Sequence, residues 1–352
     1  MNNLTRLLAL LSLAIASNGY AALTLEQDTL HPVTLKVHAA AYLSEMQPLI
    51  DDFERRNPDI LIDYKGVSSN LLTQQIRDPA SPPPDVTISS VMDQQVRLVN
   101  DGYALRTPYT DKSVLPSWTH WREELYGFSY EPAVIVFNRA FLNGKRTPTN
   151  RVELIHFIRR YSNELQAKIG LFDIRRVGMG YLLWSFERAQ ATNYGQFLEL
   201  FNSHDALTFN SSAAMLEAVN RGDINMAYNV VGSYAKSFEE NNDNIVVVAA
   251  TDYTPVIIRT VFVNKTTETP IHAQRFLNYL LSYQGQKVMA EQTNMPPIRL
   301  DVESEKAAHV MRNRLADQLK PLPLDVSLLV ISDQSKKQII ISEWENALKD
   351  YE

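Results

Sequence analysis

There is no cysteine in this chain of 352 residues. No disulfide supports the fold, and thiolate catalysis and zinc–thiolate sites are excluded. Positive charge is not in excess: 34 Lys and Arg stand against 40 Asp and Glu, a net charge of −6. Nothing therefore draws the chain as a whole toward nucleic acid or an anionic membrane. No apolar run approaches the ~20 residues that cross a bilayer. Tandem repeats, low-complexity tracts, G-x-S-x-G and H-E-x-x-H are all missing. The histidines are scattered without metal-ligand spacing, and Glu239-Glu240-Asn-Asn-Asp243 is acidic but lacks the calcium-loop pattern. What is present is an ordinary globular composition, 45% hydrophobic and 21% charged, long enough for two domains.

The N-terminus is patterned for export. Met1 to Arg6 carries one positive charge and no acid, Leu7 to Ala16 is apolar apart from Ser12, and small residues follow to Ala22. This reads as a secretory signal over residues 1–21, with no cysteine for a lipid anchor. The mature chain is expected to be soluble and periplasmic, and to rely on buried area for its stability.

Strands and helices alternate after the signal. Val33 to Ala41 reads as a strand. A helix is expected next, with Ser44 as N-cap and Gln47 in a capping-box relation, ending at Asn57-Pro58. Ile60 to Tyr64 is a second strand. Ser68, Ser69 and Asn70 then open a helix, where free backbone N–H groups suit an anion. Asp85 to Ile88 is a short strand ending in Ser89 and Ser90, at the strand end where open α/β sheets bind ligands. Later, Arg175-Arg176 precede Gly178 and Gly180 at a helix start, pairing two forked cations with a close backbone approach. Tyr228, Asn229, Ser233 and Tyr234 fall at another strand-to-helix turn.

Two stretches organise the rest. Gly127-Phe-Ser-Tyr-Glu-Pro-Ala-Val-Ile-Val-Phe-Asn138 and Tyr253-Thr-Pro-Val-Ile-Ile-Arg-Thr-Val-Phe-Val-Asn264 each run from a proline into β-branched residues, as strands covered on both faces do. They read as crossovers carrying the chain out of one lobe and back. The expected lobes are residues 22–130 with 254–295, and 131–253 with 296–352, each an α/β sheet flanked by helices with the ligand between them.

The order of segments resembles the extracellular solute-binding proteins of ABC importers, type II group. The residues that carry the resemblance are Asp85-Val-Thr-Ile-Ser-Ser, the Gly127 to Asn138 stretch, Asn220-Arg-Gly-Asp-Ile-Asn-Met-Ala-Tyr, and the helix Ala273-Gln-Arg-Phe-Leu-Asn-Tyr-Leu-Leu-Ser-Tyr-Gln-Gly-Gln. The resemblance implies closure of two lobes around a solute, with contacts from strand-end loops. Those map onto Ala41-Tyr42, Ser68-Ser69, Ser89-Ser90, Tyr130, Arg175 to Gly180 with Arg176 and Gly178, and Asn229 to Tyr234 with Ser233. Ferric-binding members place two adjacent tyrosines at the last of these turns, where this sequence has Tyr234 alone.

The expected function is capture of a small polar, anionic solute for an ABC permease, by a monomer with no cofactor and no nucleic-acid partner. The alternative is ligand-sensing input to a histidine kinase of a two-component system, which the tail after Pro297 resembles. Ferric iron is less favoured. An exported hydrolase rests only on Ser233-Tyr-Ala-Lys236, an S-x-x-K match without a following K-T-G.

Overall fold

The computed structural model describes residues 32–190 and 192–348; the signal read over residues 1–21 lies outside them. Thirteen strands form among the described residues: β1 (Val33–Ala39), β2 (Ile60–Gly66), β3 (Val86–Ser89), β4 (His120–Trp121), β5 (Leu125–Gly127), β6 (Glu131–Asn138), β7 (Ile169–Phe172), β8 (Leu207–Phe209), β9 (Met226–Val231), β10 (Ile245–Val248), β11 (Thr254–Ile257), β12 (Thr260–Val263) and β13 (Leu319–Pro321). They make two sheets. The first has the order β2-β1-β3-β12-β5-β4, the second β13-β11-β6-β9-β7-β8 with β10 also on β6. Each is mixed: β1 runs parallel to β2 and β3 while β12 opposes β3, and β7 runs parallel to β8 and β9 while β6 opposes β9.

The two sequence stretches with proline and β-branched runs are the connections between the sheets. β5 ends in the first sheet at Gly127 and β6 begins in the second at Glu131, so Phe128 to Tyr130 make the outward step. All eight residues of β6 are buried, as its continuous apolar run requires. The return comes at Ile258 and Arg259 rather than at Thr254, because Val256 and Ile257 still pair with Pro132 and Glu131. The proline marks the start of that strand, not the crossing. A third passage follows the helix Tyr283–Gln292 and ends with β13 beside β11 in the second sheet.

Apolar packing bridges the two sheets on one side and stays within the second on the other. One cluster runs from Leu35, Phe53 and Phe276 at the first sheet through Phe128 and Ile258 to Leu216 and Val230 on one face of the second sheet. A separate cluster of Phe137, Ile155, Trp184, Phe201 and Tyr228 covers the other face. The helix Pro270–Leu281 buries Ala273, Phe276, Leu277, Leu280 and Leu281, the spacing of one helical face.

One local expectation is not met. The first helix begins at Leu43, so its N-cap is Tyr42 and no side chain caps it. Ser44 lies inside the first turn, and Gln47 donates to Asp51 instead of reaching back. The capping box is therefore absent, and this helix N-terminus stays open toward the cleft described next.

Candidate binding cleft

A cleft of about 630 Å³ opens between the two sheets. It is built from the turns that join strands to helices. From the first sheet come Ala40 to Leu43 after β1, Gly66 to Ser69 after β2, and Ser90-Val91 after β3. The second sheet contributes Phe172 and Arg176 to Met179 after β7, Asn210 to Ser212 after β8, and Val231 with Tyr234 after β9. Every one of these turns starts a helix, so six helix N-termini converge on one space.

The helices Leu43–Arg56, Met92–Asn100 and Gly232–Asn241 have no side-chain cap, and their N-cap residues Tyr42, Val91 and Val231 all line the cleft. Their first N–H groups have no intrahelical acceptor. Elsewhere serines do cap. Ser68 Oγ accepts from Leu71 N at 3.3 Å, and Ser211 Oγ from Ala214 N at 3.1 Å. Ser212 Oγ accepts from Val231 N at 3.2 Å, tying two of the turns together.

The two arginines separate by role. Arg175 turns back onto Asp173, donating from Nε at 2.8 Å and from Nη2 at 2.9 Å, with its guanidinium 5.5 Å from the Trp344 ring. Arg176 meets Asp173 only at 3.9 Å, and its side chain is 76% exposed at the cleft. One fork is committed to structure and the other is available.

The walls touch across the cleft. Asn70 Nδ2 donates to the Arg176 carbonyl at 2.6 Å, and Gln94 Nε2 to Asn70 Oδ1 at 2.8 Å. The rings of Tyr42 and Tyr234 lie 4.8 Å apart. Gly178 fits against the opposite wall so closely that a Cβ would stand 2.8 Å from Gln94 Nε2 and 2.9 Å from Val91 Cγ1. Farther along, Ser237 Oγ donates to Glu45 at 3.2 Å, where burial raises the carboxyl pKa.

Of the residues singled out in the sequence, Tyr42, Ser68, Ser69, Ser90, Arg176 and Tyr234 line the cleft, and Gly178 abuts it. The others lie behind. Ser89 Oγ is occupied with Val91 N at 3.1 Å. Tyr130 is fully buried beside Trp118, and burial pushes its phenol up to about 12. Gly180 packs on Phe172, and Asn229 holds a left-handed φ of 61° within β9, at the register shift against β6. Ser233 is buried, and Lys236 Nζ donates to Glu239 at 3.0 Å, so the S-x-x-K residues do not pair. Asn210, Ser211 and Ser212 join the lining without having been singled out. Their signal was present as two serines ahead of the apolar helix at Met215, Leu216 and Val219.

Comparison with known proteins agrees with this architecture. The family model for bacterial extracellular solute-binding proteins matches residues 39–287. The chain belongs to the bacterial extracellular solute-binding protein family. Among solved structures, this solute-binding protein resembles the substrate binding protein of an ABC transporter from Agrobacterium tumefaciens at 30% identity, with a TM-score of 0.86 over 93% of this chain and 97% of that one. At 12% identity it shares the fold of the periplasmic binding protein AfuA from Actinobacillus pleuropneumoniae, described with fructose-6-phosphate bound (TM-score 0.70, covering 90% and 98%). Iron-bound HitA from Pseudomonas aeruginosa also shares the fold at 16% identity (TM-score 0.65, 90% and 99%). Among curated proteins none matches. No group of three or more His, Cys, Asp or Glu with metal-binding geometry occurs among the described residues.

Proposed function

We propose that this solute-binding protein captures a small anion between its two lobes in the periplasm and delivers it to an ABC permease. The observation that carries the anion is the set of three uncapped helix N-termini facing one space beside the exposed fork of Arg176. Helix N-termini attract negative charge, and a charge-assisted bond from arginine adds direction. In this reading the lobes are residues 33–127 with 260–295, and 131–257 with 296–348, turning about the crossings. Permease delivery is favoured over a sensor kinase because the Agrobacterium relative is described as an ABC transporter component. One chain supplies the whole cleft, so a monomer suffices.

The test is calorimetric titration with inorganic phosphate, carboxylates, organophosphates, neutral sugars and polyamines. Anions are expected to bind, and Arg176→Ala is expected to weaken them about 10- to 100-fold, the range of a lost charge-assisted hydrogen bond. Binding confined to neutral or cationic solutes, or unaffected by Arg176→Ala, overturns the proposal.

A further inference from the structure

The cleft also limits what the anion is attached to, an inference that rests on the anion reading above. Among the described residues lining it, Arg176 is the one charged side chain; Glu45 lies beyond Tyr42 and Tyr234, and Asp173 is held by Arg175. An ammonium group entering this space finds no carboxylate, and a desolvated, unpaired charge is strongly disfavoured. Polyamines and amino-bearing anions are thus poorly served.

Hydrogen-bonding capacity is lopsided in the same direction. The uncapped helix starts and Arg176 offer only donors. Ser68, Ser211 and Ser212 each already accept one backbone N–H bond, which leaves an O–H donor and a single remaining lone pair on each. Lining side chains that act as acceptors reduce to the Asn210 amide and uncommitted hydroxyls. A sugar phosphate brings many hydroxyl donors, and these neutral acceptors bind them more weakly than a carboxylate would.

The remaining wall is apolar. Val67, Val91, Phe172, Val177, Met179 and Val231 line it from both sheets. Such a surface gains by burying hydrocarbon out of water. We infer that the solute is an oxyanion on a compact apolar or aromatic body, with no ammonium group and few hydroxyls.

The experiment is titration of the full exported chain with matched probes: phenylphosphonate against glucose 6-phosphate, phenylacetate against 4-aminobutyrate, and putrescine alone. The apolar member of each pair is expected to bind at least tenfold more tightly. The two pairs also separate a tetrahedral from a planar head group. Met179→Gln, close to isosteric, is expected to weaken the better apolar probe threefold or more and to weaken inorganic phosphate by a smaller factor. If glucose 6-phosphate or 4-aminobutyrate binds as tightly as its partner, or Met179→Gln changes nothing, this inference falls while the anion reading stands. If putrescine alone binds, or no anion does, both fall.

Discussion

Two buried Arg–Glu pairs occupy different parts of this protein and are completed to different degrees. Arg151 and Glu187 lie within the second lobe. Arg151 donates to Glu187 from Nη2 at 2.6 Å and from Nε at 3.3 Å, and to Asp252 at 3.2 Å. Glu187 also accepts from Tyr228 at 3.0 Å and from Tyr253, whose ring lies 3.3 Å from the guanidinium. Arg259 and Glu131 lie one on each crossover, both fully buried, and share a single bond of 3.0 Å. Nε and Nη1 of Arg259 and Oε2 of Glu131 have no partner among the described residues. The pair inside the lobe closes its network. In the proposed closure the lobes turn at the crossing, and a network completed there would fix one angle. Under-satisfaction at the hinge fits a part whose geometry changes in use.

The largest effect should come from breaking the complete network. Arg151→Met leaves Glu187 buried without its cation and should cost about 3–5 kcal/mol in urea unfolding. The sharper contrast uses double variants. Arg259→Met with Glu131→Met removes both hinge charges and should lie within about 1 kcal/mol of the parent, since apolar replacement of a buried pair is often neutral or stabilising. Arg151→Met with Glu187→Met leaves the hydroxyls of Tyr228 and Tyr253 without their acceptor, and should remain destabilised by roughly 2–4 kcal/mol. Equal costs for the two doubles would erase the distinction between hinge and lobe.

Neither pair is readable from the sequence, and the reason is physical. Their partners lie far apart along the chain, and periodicity reports only which face of an element is buried. The crossovers were legible because a β-branched run needs cover on both faces, but the exact return depended on pairing between β11 and β6. Ser44 had the right neighbours for a cap, yet the helix starts at Leu43, where the turn after β1 sets the geometry. In the cleft, Ser68, Ser90 and Arg176 were visible as polar residues at strand ends. Arg175 and Arg176 look alike in the sequence, and only Asp173 and Trp344 in space separate them.

Asp93 extends the comparison to a buried carboxylate with no paired cation. It lies in the first turn of Met92–Asn100, almost wholly buried, and burial raises its pKa to about 7, with Lys337 as a weaker opposing influence. The folded carboxyl stays protonated where the unfolded one has ionised. Stability is therefore fully present below about pH 4 and is lost as pH rises toward 7. Asp93→Asn removes this dependence. Its melting temperature should match the parent near pH 4 and exceed it by at least about 2–4 °C at pH 8, roughly the response of a mid-sized domain to 1 kcal/mol. A constant offset across that range would mean that Asp93 does not titrate.

If the hinge pair leaves the angle free, contacts across the cleft must hold the closed form, and two glycines two residues apart separate these roles. Gly180 belongs to one lobe, and a Cβ there would lie 2.4 Å from Phe172 Cβ. Gly180→Ala therefore strains the fold itself and should cost about 1–3 kcal/mol in unfolding. A Cβ on Gly178 meets Val91 and Gln94 from the other lobe, an approach that the proposed opening of the cleft would release. Gly178→Ala should leave the unfolding free energy nearly unchanged, because the lobes can part slightly to make room. Its penalty falls on closure: affinity for the tightest anion should drop about 3- to 10-fold, and small-angle scattering of the loaded protein should show a larger radius of gyration. Loss of stability with unchanged affinity would mean that the lobes are locked together at the crossings instead.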